Sequence, residues 1–165
     1  MPLAGTVSIA SFNTDILDRH LIHSYAVSGA QTESGEDETW RYEIWFFCED
    51  RVVYAIHGGP MAGRKNYQAA TYQCVRPGEL WQINWLEETG TIVSMVFDIR
   101  ERRISTMIGF SQGHWENPVA AHGDKRNKGD LTRWRKLAEI GHQTDRTVLV
   151  EQAELEQDFR GKVRC

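Results

Sequence analysis

Cysteine is scarce in this chain. The three that occur, Cys48, Cys74 and Cys165, are an odd number and fall in no metal-ligand spacing. They read as reduced thiols and point to an intracellular, cytoplasmic protein. Cys48 and Cys74 are expected as small strand or core residues, and Cys165 as exposed. No apolar run approaches the roughly 20 residues of a membrane span. The N-terminal MPLAGTVSIASFNTD has neither a basic start nor a long apolar stretch, so no signal peptide is expected. A basic surplus is also missing. The formal net charge of −4 argues against a broad electrostatic grip on nucleic acid or an anionic membrane. There is no internal repeat, low-complexity tract or interdomain linker.

What remains is ordinary globular composition, with 41% hydrophobic and 25% charged residues among 165. That length suits one domain with a sizeable core. We expect an N-terminal extension over residues 1–19 and a single domain over 20–165. The polar, acidic SGAQTESGEDET, residues 28–39, reads as a loop. After it come short runs with strand character: WRYEIWFF, RVVYAIH, KNYQAATYQCV, ELWQINWLE, TIVSMVFDI and RRISTMIGF. The breaks between them, ED, GGPMAG, RPG, ETG and RERR, are mostly turn chemistry. Strands at this spacing predict antiparallel β structure, as a sandwich or a closed barrel. GDLTRWRKLAEIG reads as one short helix near residues 130–140, starting at Gly129 or Asp130 and ending before Gly141. RTVLVEQAELEQ reads as a last strand, with a helical acidic tail as the alternative.

The stretch HGGPMAGR, residues 57–64, raises a question. It has more glycine than a hairpin needs, and it ends in a charge. A phosphate loop would require lysine and then Ser or Thr after the last glycine, leading into a helix. Here Arg64, Lys65 and Asn66 lead into a strand. A bulged turn, or a loop delivering Arg64 to a site, remains open. Period-2 reading is sharper. Trp40, Tyr42, Ile44 and Phe46 share one face, as do Trp81, Ile83, Trp85 and Glu87. His23 and Tyr25 share a face with Leu21 and Val27. Aromatic walls with a few polar groups suit a small-molecule pocket. Glu87 is then a candidate acid or base, or simply a strand-end carboxylate in water; pattern leaves both open.

VVYAIHGGPMAGR followed by RPGELWQINWLEETGT resembles the phenolic acid decarboxylase family, most of all its fungal branch. WRYEIW upstream, and FSQGHWENPVAAHGDKRN with RWRKLA downstream, extend the resemblance to residues 20–156. The resemblance implies an all-β protein with one short α-helix, a flattened antiparallel lipocalin-like (calycin) barrel, and usually a homodimer. It implies cofactor-free, metal-free decarboxylation of 4-hydroxycinnamic acids such as p-coumaric, ferulic and caffeic acid to 4-vinylphenols. It assigns Arg64 to the active site and Glu87, in WLEETGT, as the catalytic glutamate, with Glu88 where proline is common. It places Tyr42, Tyr54, Ile56, Met61, Trp85, Thr91 and Val93 in the substrate-binding wall.

The chemistry suits these residues. Direct loss of CO₂ from a cinnamate leaves charge on an sp² carbon. Deprotonating the para-hydroxyl and protonating the alkene carbon beside the carboxylate gives a quinone methide, from which CO₂ leaves easily. Glu87 is the expected proton donor. Arg64 and Tyr25 are expected to hold the phenolate or the carboxylate, with Trp85, Tyr42 and Ile56 forming a dry slot for the ring. One departure stands out. The family's Tyr-x-Tyr reads His23-Ser24-Tyr25 here, and the short turn after it is replaced by AVSGAQTESGEDET. Imidazole still offers a hydrogen bond but is shorter and titrates near pH 6.5. His23 is compatible with a retained decarboxylase of shifted substrate range, with a diverged enzyme acting on another phenolic or polyketide-like substrate, and with a ligand-binding barrel. Arg64 and Glu87 together argue against the last.

Other residues are expected to be structural. His57, His114 and His122 form no metal constellation. His57 is expected to brace the glycine loop, and His114 and Trp115 to open a loop covering one barrel end. His20 and His142 read as structural or exposed. Arg133, Arg135 and Lys136 read as a solvated helix face, with Trp134, Leu137 and Ile140 docking the helix. No nucleophile-elbow context surrounds Ser24, Ser94 or Ser111.

Overall fold

The computed structural model describes residues 9–31 and 34–161. Eight antiparallel strands close into a barrel in sequence order: β1 Arg19–Gln31, β2 Asp37–Cys48, β3 Arg51–Ile56, β4 Lys65–Arg76, β5 Leu80–Leu86, β6 Ile92–Asp98, β7 Arg103–Ser111 and β8 Arg146–Arg160. β8 pairs back to β1, so no strand of the barrel is left with an open edge. The all-β calycin-like expectation therefore holds. Among the described residues three short helices accompany the barrel where one was expected: α1 Ile9–Asp15, α2 Gln112–Glu116 and α3 Lys128–Leu137, with a 3₁₀ turn over Pro118–Ala121.

Alternation decides which side chains fill the barrel. Tyr54 and Ile56 on β3, Trp81, Ile83 and Trp85 on β5, and Val93, Met95 and Phe97 on β6 all point inward and are buried. The expected face of Trp40, Tyr42, Ile44 and Phe46 is buried throughout. Leu21, His23 and Tyr25 share the inward face of β1 as expected; the side chain of Val27 lies outside the described residues. Cys48 and Cys74 are on strands and partly buried, while Cys165 is not among the described residues.

The two barrel ends are closed differently. At one end α1, within the stretch expected as an extension, inserts Phe12 into the core, and Ile16 follows from the turn after it. Phe12 meets Tyr72 edge-on at 5.0 Å. Asp15 accepts hydrogen bonds from the Trp81 indole at 2.9 Å and the Gly78 amide at 2.7 Å. Residues 1–8 lie outside the description. At the other end α2, the 3₁₀ turn and α3 lie over the barrel mouth.

Several elements differ from their sequence reading. The 28–39 stretch is not all loop, because β1 runs to Gln31 and β2 begins at Asp37, with residues 32–33 outside the description. Hairpin pairing satisfies backbone groups whatever the polarity of the side chains. The acidic tail is strand, not helix: β8 is one 15-residue strand that buries Ala153 and Leu155. α3 starts two residues earlier than Asp130 because Asn127 caps it, accepting from the Gly129 amide at 2.8 Å. Trp134 and Leu137 dock this helix, but Ile140 is exposed. Arg133 is not simply solvated, since it donates to the carbonyls of Ala120 and His122 at 2.8 and 2.7 Å.

Candidate active site

The glycine-rich stretch after β3 is a compact loop folded onto β2. His57 anchors it, donating its amide to the Arg41 carbonyl at 2.8 Å, while its ring meets Glu43 at 3.1 Å. Gly58 lies so close to β2 that an added Cβ would sit 2.6 Å from the Thr39 carbonyl. Gly59 adopts φ +82° and packs directly on the Trp40 indole. The loop is therefore more than a plain turn. It buries Met61 and delivers Arg64 into the barrel, where only 1% of its surface is exposed.

Arg64 is held from four sides. Its guanidinium donates to the Ala121 carbonyl at 2.7 Å, to the Tyr54 hydroxyl at 3.3 Å and to Glu87 at 3.1 Å, and it lies 3.9 Å over the Trp134 ring. α3 and the 3₁₀ turn thus serve the site as well as covering it. Glu87 sits just past β5, in a turn closed by its amide donating to the Thr91 carbonyl at 2.9 Å. Its side chain is 6% exposed, so it does not face open water. The carboxylate accepts from Tyr54 at 2.5 Å, the Trp85 indole at 3.2 Å and Arg64. Tyr54 in turn accepts from Asn66 at 3.1 Å. Burial works against the Arg64 charge, yet Tyr54 and Glu87 hold its pKa above the ordinary value. Burial pushes the Tyr54 phenol well up, so it remains a donor.

This cluster opens on a narrow cavity of about 50 Å³ inside the barrel. On that measure one water needs about 10–15 Å³. Ile56, Met61, Trp85 and Val93 form its apolar wall, with Thr91 beside Glu87. Towards β1, His23, Tyr25 and Tyr42 form a second polar group. The His23 ring stacks on Tyr42 at 5.6 Å and meets Tyr25 edge-on at 5.1 Å. The Tyr25 hydroxyl pairs with Thr106 at 2.8 Å, and burial pushes its pKa up to about 12. Burial lowers His23 to about 4, so it is neutral at pH 7, and its Nδ1 has no hydrogen-bond partner among the described residues. Every residue singled out from the sequence, His23, Tyr25, Tyr42, Tyr54, Ile56, Met61, Arg64, Trp85, Glu87, Thr91 and Val93, lines this one cavity.

Two contributions were not legible in the sequence. Tyr54 was expected as wall but is the hub joining Arg64, Asn66 and Glu87. His114 was expected only in a covering loop, yet it is 2% exposed and lines the cavity. The available signal was Ser111, whose hydroxyl caps α2 by accepting from the His114 amide, turning that residue inward. Glu88, in the position often held by proline, accepts from Gln68 at 2.6 Å and pairs with Lys125. Among the described residues no group of three or more His, Cys, Asp or Glu is placed to hold a metal ion, and no helix is long and apolar enough to cross a membrane.

Comparison with known proteins points to one family. A curated protein of Bacillus subtilis, phenolic acid decarboxylase PadC, is 29% identical over 104 residues, which cover 63% of this chain and 58% of that protein. A probable phenolic acid decarboxylase of Vibrio cholerae is 23% identical over 82 residues, covering 50% of this chain and 47% of that protein. The chain thus spans about half the length of the curated relatives it matches. The family model described as phenolic acid decarboxylase (PAD) matches residues 15–159, nearly the whole barrel, and the chain belongs to that family.

Proposed function

We propose that this protein is a carbon–carbon lyase that decarboxylates 4-hydroxycinnamic acids to 4-vinylphenols without a cofactor. The observation that carries the reading is the buried Arg64–Glu87–Tyr54 cluster at the end of an aromatic slot. Glu87, paired with Arg64 in the free protein, takes up a proton as the substrate binds and gives it to the alkene carbon beside the substrate carboxylate. As the phenol gives up its proton to solvent, electrons pass through the ring to that carbon, and a quinone methide forms. The bond to the carboxylate then breaks, its electron pair restores the aromatic ring, and CO₂ departs. The phenolate regains its proton and Glu87 returns to its pairing with Arg64, so each turnover of a carboxylate substrate takes up one proton from solvent.

The residues divide the work. Arg64 fixes the Glu87 carboxyl and Tyr54 in one geometry. Placing Glu87 at the alkene sends the phenol towards His23, Tyr25 and Tyr42. There Tyr25, still protonated, offers its hydroxyl to the developing phenolate. The planes of Trp85 and Tyr42 hold the ring and keep water from the quinone methide. Turnover of p-coumaric acid in D₂O tests the route. One deuterium at the terminal vinyl carbon accompanies any loss of CO₂, so the 4-methoxy ether of the substrate is run beside it: the free phenol should turn over and the ether should not, and turnover of the ether would rule out the quinone methide.

A further inference from the structure

His114 stands outside the proposed chemistry above, yet it is built as a ligand-binding group. Its Nδ1 lies 2.6 Å from the Thr91 hydroxyl and 2.9 Å from that of Thr89. The two hydroxyls are 3.2 Å apart. Each carries one hydrogen, and no other acceptor for either is at hand among the described residues. Both hydrogens find acceptors only when Nδ1 accepts. The ring proton is therefore on Nε2. That atom is buried and has no hydrogen-bond partner among the described residues. A buried N–H without an acceptor is rare in folded proteins, and this one belongs to a residue lining the cavity at its Glu87 end.

We propose that the Nε2–H of His114 is a substrate-binding group that donates to the carboxylate of the phenolic acid. The assignment rests on the decarboxylase reading, which brings the carboxylate to the Glu87 end. Arg64 is already committed elsewhere, since three of its five N–H groups serve Glu87, Tyr54 and the Ala121 carbonyl and hold the guanidinium in place. A neutral donor also suits a group that must leave as uncharged CO₂. A full positive charge would hold the carboxylate more tightly than the transition state, from which that charge is moving away. Burial lowers His114 to about 4, which keeps the ring neutral at working pH.

Two substitutions separate this role from a structural one. His114→Asn keeps an acceptor near the Thr hydroxyls but removes the distal donor. His114→Gln carries a donor near the Nε2 position but loses the proximal acceptor. The measurement is equilibrium binding of cinnamic acid, which has the carboxylate alone, and of 4-ethylphenol, which has the hydroxyl alone. Melting temperatures of both variants are recorded alongside. His114→Asn should weaken cinnamic acid about tenfold, the size of one hydrogen bond, and leave 4-ethylphenol unchanged. His114→Gln should bind cinnamic acid more tightly than His114→Asn does. Unchanged cinnamate binding in His114→Asn, or equal weakening of both ligands, overturns the assignment. Weakening of 4-ethylphenol alone overturns it too, by placing the donor at the phenol. If the unaltered protein binds neither ligand nor p-coumaric acid, the decarboxylase reading itself fails, and this inference fails with it.

Discussion

The Arg64–Glu87 pair should behave as a buried ion pair in which each charge depends on the other. The two side chains are 1% and 6% exposed. Removing Arg64 as Arg64→Met leaves the carboxylate with only neutral donors and orphans the Ala121 carbonyl. Removing the carboxylate as Glu87→Leu leaves a guanidinium buried over Trp134. Breaking such a pair from one side costs about 4 kcal/mol, within the roughly 3–5 measured elsewhere. If the two losses were independent, the double variant would lose about 8 kcal/mol. Because the second substitution removes the charge that the first left stranded, we expect the double variant to cost close to either single. The coupling is then about 4 kcal/mol. Urea unfolding of the four proteins measures it. Single losses under about 1 kcal/mol that simply add would show a solvated pair and refute the burial argument.

Other outcomes follow from the same geometry. His23 and His114 are each lowered to about 4 by burial from an ordinary 6.5. Below pH 6.5 the unfolded chain binds protons that the native chain refuses. Stability is therefore full above that pH and falls by about 3 kcal/mol per histidine as pH drops to 4. His23→Gln should remove one proton from the slope of unfolding free energy against pH; an unchanged slope would contradict the buried, neutral ring. Gly59→Ala places a methyl in left-handed backbone against the Trp40 indole, so the loop must lift. Turnover should fall at least tenfold while the melting transition stays cooperative, and a fully active variant would show that loop position does not matter. Homodimer formation, expected from the resemblance, is proposed to use the exposed apolar residues Val148 and Val150 of β8 with Met107 of β7. Val150→Glu should then yield a monomer by light scattering, whereas an unaltered mass would place any interface elsewhere.

The barrel was legible because the strand runs alternate cleanly. Trp81, Ile83 and Trp85 announce an inward face, and Glu87 continues it by the same period. The loop of residues 57–64 was legible only as an excess of glycine. Its purpose depends on Thr39 and Trp40, which approach from β2 and carry no signal in the loop itself. α1 was missed because seven residues are too few for a helical period to declare itself. β8 was ambiguous because its half-exposed residues dilute the alternation, and its strand state is set by pairing with β1 and β7. His114 and Tyr54 show the limit most clearly. Burial and partners across the barrel give them their polar roles, and those partners, Thr89, Thr91, Asn66 and Arg64, are distant in sequence or unremarkable in type.

The most direct test is to mix the purified protein, with no cofactor added, with p-coumaric acid and separately with unsubstituted cinnamic acid, and to identify the products by chromatography. Glu87→Gln is run beside it, with ligand binding confirmed. The account predicts 4-vinylphenol from p-coumaric acid, nothing from cinnamic acid, and binding without turnover in the variant. Styrene from cinnamic acid would contradict the quinone-methide route, and undiminished turnover in Glu87→Gln would contradict its proton donor. No product from a folded, unaltered protein would contradict the decarboxylase reading as a whole.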